Sequence, residues 1–208
     1  MLLAFLLALP GAAAAQGPPL PRHAQFGAEP VSREARHVAD WAVRSADPRG
    51  MPFIIVDKVH SKVFVFDGVG RLLGAASALL GSARGDESVA GIGQRKLSTI
   101  LAQERTTPAG RFEASLAKSP QGEEILWVDY DSALALHRVI ATVPKERRLQ
   151  RLAGREPQER RITYGCINVP VRFYEDVVSP AFKATSGIVY VLPEQRSLRE
   201  VFGAYGLS

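Results

Sequence analysis

The sequence predicts a mainly β fold, a sandwich or barrel with short peripheral helices. Short runs of β-branched and aromatic residues follow one another from residue 52 onward, and Gly, Pro, Asp and Asn punctuate them. The chain has 208 residues, of which 46% are hydrophobic and 23% charged, enough apolar material for the core of one domain. We therefore expect one β-rich domain with modest extensions.

The first fifteen residues resemble a secretory signal peptide. Residues 2–9 form a short apolar run, and the small residues that follow fit a cleavage site after Ala15. The run is too short to span a bilayer, so we expect no stable membrane span. A buried N-terminal helix is the alternative. The expected location is the periplasm or another extracytoplasmic space.

Residues 16–49 are interpreted as a tether followed by one helix. Pro, Gly and Ala dominate residues 16–30, a composition typical of flexible linkers. Apolar residues then recur at helical spacing up to Ala42, with Ser32 as the expected N-cap. This helix either packs on the domain or binds a partner.

The domain itself is expected to cover residues 50–194. Short helices are expected over residues 171–178, after Pro170, and over residues 195–208 at the C-terminus. The strand candidates are residues 53–56, 63–66, 72–80, 110–116, 125–130, 133–137 and 188–192.

Two insertions separate the strands. Residues 81–106 are polar and contain glycine, whereas residues 143–161 are basic. Long loops without a strand pattern are often lids or binding loops. The basic insertion is therefore interpreted as a lid over a cleft, and a solvated charged helix is the alternative.

The chain carries a formal net charge of +5. Nucleic acid would be a candidate partner for a basic cytoplasmic protein, but no RNA- or DNA-binding motif is present. For an exported protein, an anionic polymer of the cell envelope is the better candidate.

Cys166 is the only cysteine, and it lies in residues 163–168, Thr-Tyr-Gly-Cys-Ile-Asn. Exported proteins normally use cysteines in disulfide pairs, so this lone cysteine is interpreted as a thiol kept for chemistry. An inert buried thiol is the alternative. A redox role is disfavoured because the sequence has no resolving cysteine.

A cysteine nucleophile needs a base, and four histidines are candidates. His23 lies in the tether and His37 in the first helix, while His60 lies in a turn expected to face solvent. His137 ends an apolar strand upstream of Cys166, where a scaffold can deliver a side chain into a site. We predict His137 as the base, with His60 as the alternative. A core histidine bonded at a strand end is the other interpretation of His137.

The nucleophile also needs donors for an oxyanion. Gly165 lacks a Cβ atom, so a substrate can approach its backbone. We predict that the N–H groups of Gly165 and Cys166 form this site; such donors contribute about 3 kcal/mol each in the transition state. Asn168 either braces the loop or hydrogen-bonds the substrate.

Residues 163–168 resemble the active-site signature of the L,D-transpeptidase catalytic domain, commonly Ser/Thr-His-Gly-Cys-hydrophobic-Asn/Arg. Residues 106–112 resemble the Thr-Pro-x-Gly-x-Phe stretch of the same family, and residues 53–68 resemble its opening hairpin. His137 falls where the family places its general base. Tyr164 stands where the family has a histidine.

The resemblance implies an exported catalytic domain that acts on peptidoglycan stem peptides. Members of the family cleave the bond before the terminal D-alanine, hold an acyl-enzyme on cysteine and transfer it to a second stem. Carried over, Cys166 is the nucleophile, His137 the base and Gly165 part of the oxyanion site. The resemblance implies no cofactor and no metal.

The same resemblance suggests Thr163, Tyr164, Asn168 and Arg138 as substrate-binding residues. A backbone carbonyl near Arg138 would orient the imidazole, and arginines of the basic insertion would attract stem carboxylates. Three alternatives remain open: an L,D-carboxypeptidase that uses water, a non-catalytic peptidoglycan-binding relative, and an enzyme that attaches envelope proteins to the wall.

Overall fold

The computed structural model describes residues 23–207. The expected signal peptide and the first part of the tether, residues 16–22, lie outside the described residues. The described part of the chain is mainly β with short peripheral helices, which confirms the predicted fold class.

Six of the seven predicted strands are present with small changes at their ends, whereas the predicted strand 72–80 is divided into two strands, the second of which pairs with β8. The strands are β1 (Phe53–Asp57), β2 (Lys62–Phe66), β3 (Leu72–Ser77), β4 (Leu80–Gly81), β5 (Gly110–Lys118), β6 (Glu124–Asp129), β7 (Leu134–Arg138), β8 (Arg161–Thr163), β9 (Ile167–Val169) and β10 (Gly187–Val191). The sequence pattern missed β8 and β9, because three residues are too few to show a strand pattern.

The helices lie around the strands. They are α1 (Arg33–Ser45), α2 (Arg148–Ala153), α3 (Val171–Phe173), α4 (Ser179–Phe182) and α5 (Leu198–Phe202). A π-helical turn, Tyr174–Val178, joins α3 to α4, so this helix is longer than predicted, and Pro170 is its N-cap.

Eight strands form one mixed sheet in the order β3-β2-β1-β10-β5-β6-β7-β9. The pairs β1–β10 and β7–β9 are parallel and the others antiparallel. Leu79, just beyond β3, forms a bridge with Asn168 of β9, with N–O distances of 2.8 and 2.9 Å. This bridge joins the two outer strands and nearly closes the sheet.

Both faces of the central strands are buried. Ile54 and Val56 of β1 pack into one cluster with β7, β9 and the helix after β9. Phe53 and Ile55 point the other way and pack with α1 and α5. Strands buried on both faces read as continuous apolar runs, which explains why β1 was easy to recognise from the sequence.

The interpretation of residues 23–30 as a flexible tether is wrong. The N–H of Gln25 donates to the Gly70 carbonyl at 2.8 Å, and Phe26 is only 3% exposed. The Phe26 ring packs edge-on against Phe64 and Phe66. The composition of residues 16–30 is typical of a linker and did not indicate this packing, because the packing depends on one aromatic side chain, that of Phe26.

The predicted first helix is present and packs on the sheet. Ser32 caps α1, its Oγ accepting from the N–H of Ala35 at 3.1 Å and donating to Asp57 Oδ2 at 2.6 Å. Val38 and Ala42 are fully buried against the sheet. Among the described residues, no helix combines the length and apolar character needed to cross a membrane.

The basic insertion is attached to the domain by its apolar and its charged residues. Leu152 of α2 packs on Leu79 and Val139. The guanidinium of Arg160 is buried and donates to the carbonyl oxygens of His60 and Gly154. Part of the insertion is therefore fixed framework, although many of its other side chains are exposed.

Candidate active site

The chain between β8 and β9 presents Cys166. Thr163 braces this turn: its Oγ1 donates to the Cys166 carbonyl at 2.7 Å and accepts from the Gly165 N–H at 3.1 Å. Thr163 is itself buried. The structure therefore gives Thr163 a bracing role inside the turn, and its role in binding substrate stays a prediction.

Gly165 is required by the backbone at this turn. Its φ is +137°, which disfavours any residue with a side chain, and a Cβ atom here would lie 2.8 Å from the Thr106 carbonyl oxygen. The Gly165 carbonyl accepts a hydrogen bond from Thr107 Oγ1 at 2.7 Å. The stretch at residues 106–112 thus touches the cysteine turn directly.

The predicted oxyanion site stays a prediction. In this structure the Gly165 N–H donates to Thr163 Oγ1 at 3.1 Å, so it is not a free donor. The N–H groups of Ala135 and Cys166 instead stabilise the thiolate form of the sulfur. Of these two amides, the sequence suggested only that of Cys166.

His137 is held at its Nδ1 atom. Nδ1 lies 2.8 Å from the Arg138 carbonyl oxygen, which can only accept, so Nδ1 carries the proton. This is the backbone carbonyl that was expected to orient the ring. Nε2 is then unprotonated and accepts from Asn168 Nδ2 at 3.0 Å.

Asn168 lies beside His137 because β7 and β9 pair in parallel with these two residues in register. The side chain is buried, and its Oδ1 accepts from Arg148 Nη1 at 3.0 Å. Of the two roles left open for Asn168, the structure supports bracing. Its role in binding substrate stays a prediction.

The thiol and the imidazole are both neutral in this arrangement. Burial raises the pKa of Cys166, against the effect of the two nearby amides, and Sγ donates weakly to the Ala133 carbonyl at 3.5 Å. Burial also lowers the pKa of His137; the Arg138 carbonyl opposes this effect and the charge of Arg148 adds to it. No ion pair forms before a substrate arrives.

Cys166 and His137 open into the same cleft, which has a volume of about 710 Å³. Trp127, Ala135 and Ile140 contribute to its apolar walls. Charged side chains also line it, namely Glu123, Glu124 and Arg138. Cys166 as a residue is partly buried, and it contributes to the lining of the cleft.

A second, smaller cavity of about 100 Å³ meets the cleft at Cys166. Tyr164 lines it, with the Arg105 guanidinium stacked over the ring at 4.1 Å. Leu97, from the polar insertion, lines both cavities. The segment beside the sulfur is therefore the polar insertion.

The lid interpretation of residues 143–161 is wrong in this structure, since none of them lines the cleft. His60, the alternative base, is also absent from the lining and bonds Asp57 through Nδ1 at 3.0 Å. Arg138 lines the cleft, but its guanidinium donates to Glu175 and to the Glu124 carbonyl. Its role in binding substrate stays a prediction, as does that of Tyr164.

Sequence reasoning missed Arg148, Ala133 and Ala135. Arg148 is one of several arginines in its segment, so the sequence does not distinguish it from the others. Ala133 and Ala135 act through backbone atoms, which residue type does not reveal. Within residues 23–207, no group of three or more His, Cys, Asp or Glu side chains could hold a metal ion.

No protein-family model matches the chain, and no curated protein matches it in sequence. Among solved structures, the fold is similar to a variant of the helical cell shape determining protein Pgp2 from Campylobacter jejuni. The TM-score is 0.47 and the identity 12%, over 80% of this chain and 58% of that one.

Two L,D-transpeptidase structures are also similar. One is LdtMt1 in complex with imipenem, with a TM-score of 0.39 and 16% identity over 68% of this chain and 58% of that one. The other is the catalytic domain from E. faecium L,D-transpeptidase, with the same TM-score and identity over 69% of this chain and 98% of that one. The chain spans 58% of the Pgp2 and LdtMt1 chains. Identities and TM-scores this low carry no information about function.

Proposed function

We propose that this chain is an exported peptidoglycan L,D-transpeptidase, a cysteine acyltransferase that acts on tetrapeptide stems and releases D-alanine. The proposal combines the resemblance of residues 163–168 to that family's signature with the geometry around Cys166. It includes the extracytoplasmic location, which the composition of residues 1–15 suggests.

One observation carries the proposal: His137 of β7 and Cys166, in the turn just before β9, reach a single open cleft, and β7 and β9 pair in parallel. The Arg138 carbonyl fixes the imidazole with Nε2 free of a proton, which is the form a general base needs. A buried inert cysteine would not need an oriented histidine in the same cleft.

The first half-reaction follows from these positions. His137 Nε2 gives up its hydrogen bond from Asn168 and accepts one from the Cys166 thiol. It then removes the thiol proton, and the sulfur attacks the carbonyl carbon of the peptide bond before the terminal D-alanine. The N–H groups of Ala135 and Cys166 hold the oxyanion. The C–N bond then breaks, and the imidazolium returns its proton to the departing amine of D-alanine.

The second half-reaction regenerates the thiol. An amine from another stem gives a proton to His137 and attacks the thioester carbonyl carbon. A new amide forms as the C–S bond breaks, and the imidazolium returns the proton to the leaving thiolate. The cleft is large enough for a peptide segment, and part of its wall is apolar. This size suits a second stem as the acceptor.

A non-catalytic peptidoglycan-binding protein is the second candidate. It is favoured by one observation: the thiol and the imidazole each bond another group, Ala133 and Asn168, rather than one another. Hydrogen bonds of catalytic groups are often long or misaligned without substrate, so this observation does not outweigh the shared cleft.

The test is incubation of the purified protein with disaccharide-tetrapeptide, followed by mass analysis of the products. We expect free D-alanine and a cross-linked dimer, and neither with Cys166→Ala. A trimmed tripeptide without dimer would identify a carboxypeptidase. Binding without release would support the non-catalytic candidate, and equal release by Cys166→Ala would overturn the cysteine mechanism.

A further inference from the structure

A chain of three hydrogen bonds runs from the basic insertion to the backbone beside His137. Arg148 Nη1 donates to Asn168 Oδ1 at 3.0 Å, and Asn168 Nδ2 lies 3.0 Å from His137 Nε2. His137 Nδ1 then lies 2.8 Å from the Arg138 carbonyl oxygen. Two groups lie in the middle of this chain. The Asn168 amide can be turned in two orientations, and the neutral His137 imidazole can carry its proton on either nitrogen.

The two ends of this chain cannot change roles. A guanidinium only donates and a carbonyl oxygen only accepts. The Asn168 atom that faces Arg148 must therefore be oxygen, which turns its NH₂ group toward His137. That group only donates, so Nε2 must accept and the ring proton must sit on Nδ1. Each end independently demands the same tautomer.

We propose that Arg148 is a positioning residue that acts through Asn168 to keep Nε2 of His137 unprotonated, the tautomer that a general base at this position requires. Its catalytic consequence rests on the proposed function, whereas the tautomer does not. The basic insertion thus contributes to the site from behind the imidazole and does not cover the cleft.

This arrangement of hydrogen bonds disfavours the protonated, cationic form of His137. A proton on Nε2 would face the N–H groups of Asn168, and turning the amide would set its NH₂ group against Arg148. Burial already lowers the pKa of His137, and the charge of Arg148 lowers it further. The imidazolium formed during the reaction would therefore return its proton readily to the leaving amine.

Other charged groups surround the imidazole. Arg138, on the same strand, pairs with Glu175, and Arg148 pairs with Glu146. Glu123, Glu124 and Cys166 line the cleft that His137 faces. Arg148 is the charge among these that lowers the pKa of His137, so removing it tests the proposal most directly.

The experiment is an NMR titration of the ¹⁵N-histidine-labelled protein, with the His137 signals assigned by His137→Gln. We expect a protonated Nδ1 and an unprotonated Nε2 at neutral pH, with a pKa below the ordinary value of about 6.5. Arg148→Met should raise that pKa by about one unit, because the amide can then turn its oxygen to a protonated Nε2. Arg148→Lys should restore most of the difference.

Arg151→Met is the matched control. Arg151 lies on the same short helix and donates to the Glu146 and Glu159 carbonyls without contacting Asn168. It should change stability but not the pKa of His137. An Nε2–H tautomer in the unmodified protein would overturn the proposal even if Arg148→Met failed to fold. Equal pKa changes in Arg148→Met and Arg151→Met would also overturn it.

The same variants separate this proposal from the proposed function. If the protein releases D-alanine, the acidic limb of its pH–rate profile should move up by about one unit in Arg148→Met. If it releases none, the proposed enzyme function fails, while the NMR result still decides whether Arg148 sets the tautomer.

Discussion

Thr107 Oγ1 donates a hydrogen bond to the Gly165 carbonyl at 2.7 Å, so a threonine 58 positions upstream of that glycine holds the turn that presents the thiol. The same oxygen accepts from the Gly81 N–H at 2.9 Å. The Thr107 carbonyl in turn accepts from buried Lys58 at 2.9 Å. The cysteine turn therefore rests on a buried polar network.

Replacing this hydroxyl should weaken both the fold and the site. Thr107→Val keeps the shape but leaves the Gly165 carbonyl and the Gly81 N–H without their partner. We expect a loss of about 1–3 kcal/mol in the free energy of unfolding, measured by urea denaturation. Thr185→Val, at an exposed threonine, should change it by less than about 0.5 kcal/mol. Similar losses in the two variants would contradict this role.

Gly165→Ala should be more damaging than an equivalent change elsewhere. The new Cβ atom would meet the Thr106 carbonyl oxygen at 2.8 Å, in addition to the strain of a positive φ. Gly122→Ala is the control, because Gly122 also has a positive φ but nothing lies within 4 Å of a Cβ atom there. Strain of this kind costs about 1–3 kcal/mol. Thermal unfolding should show a larger decrease for Gly165→Ala; equal decreases would refute the close contact.

Lys58 is buried, and its Nζ donates to the Gly85 carbonyl at 2.6 Å and to Asp86 Oδ1 at 2.7 Å. Lys58→Met would leave the buried carboxylate of Asp86 without this cation. Breaking such a pair costs about 3–5 kcal/mol, which chemical denaturation would measure. Lys183→Met, at an exposed lysine, is the control and should have little effect. Unchanged stability in Lys58→Met would contradict the structural role of the pair.

The same pair predicts a pH effect. Burial alone would raise the pKa of Asp86, but Lys58 and the backbone N–H groups of residues 194–196 lower it overall. The folded state therefore binds this proton less readily than the unfolded state, whose value is about 3.9. The resulting stability is present above about pH 4 and is lost as the pH falls through the folded value. Stability should fall more steeply with acid in the unmodified protein than in Lys58→Met; equal slopes would contradict this linkage.

Tyr164 tests whether a ring or a hydroxyl matters beside the thiol. The ring lies under the Arg105 guanidinium at 4.1 Å and forms a wall of the smaller cavity. Tyr164→Phe should keep D-alanine release near the level of the unmodified protein, because the ring and its contact with Arg105 remain. Tyr164→Ala should lower kcat/KM, because the wall of the smaller cavity beside Cys166 is then lost. A large loss of D-alanine release in Tyr164→Phe would instead show that the hydroxyl group is the part of Tyr164 that matters.

Much of the framework could be predicted from the sequence. The central strands read as apolar runs because both of their faces are buried, and Ser32 marked the start of α1. His137 and Cys166 were expected to share a site, and they line one cleft. These features depend on local pattern and on residue chemistry, which a single sequence contains.

The features that the sequence did not reveal have a common physical cause. The role of Thr163, the use of the Gly165 N–H and the position of Arg148 depend on which of several polar partners is nearest in the folded chain. Phe26 is a similar case, since its burial depends on a groove formed by distant strands. Sequence patterns indicate which groups need partners but not which partner each one takes.

The most direct measurement is the intact mass of the protein after exposure to a carbapenem, whose strained ring acylates an accessible thiolate. If Cys166 is a nucleophile activated by His137, the protein should gain the mass of one carbapenem, Cys166→Ala should gain none, and His137→Gln should react at least 100-fold more slowly, as expected for loss of a general base of about 10²–10⁴-fold effect. An unmodified mass for the unsubstituted protein, or an adduct that persists in Cys166→Ala, would contradict the account.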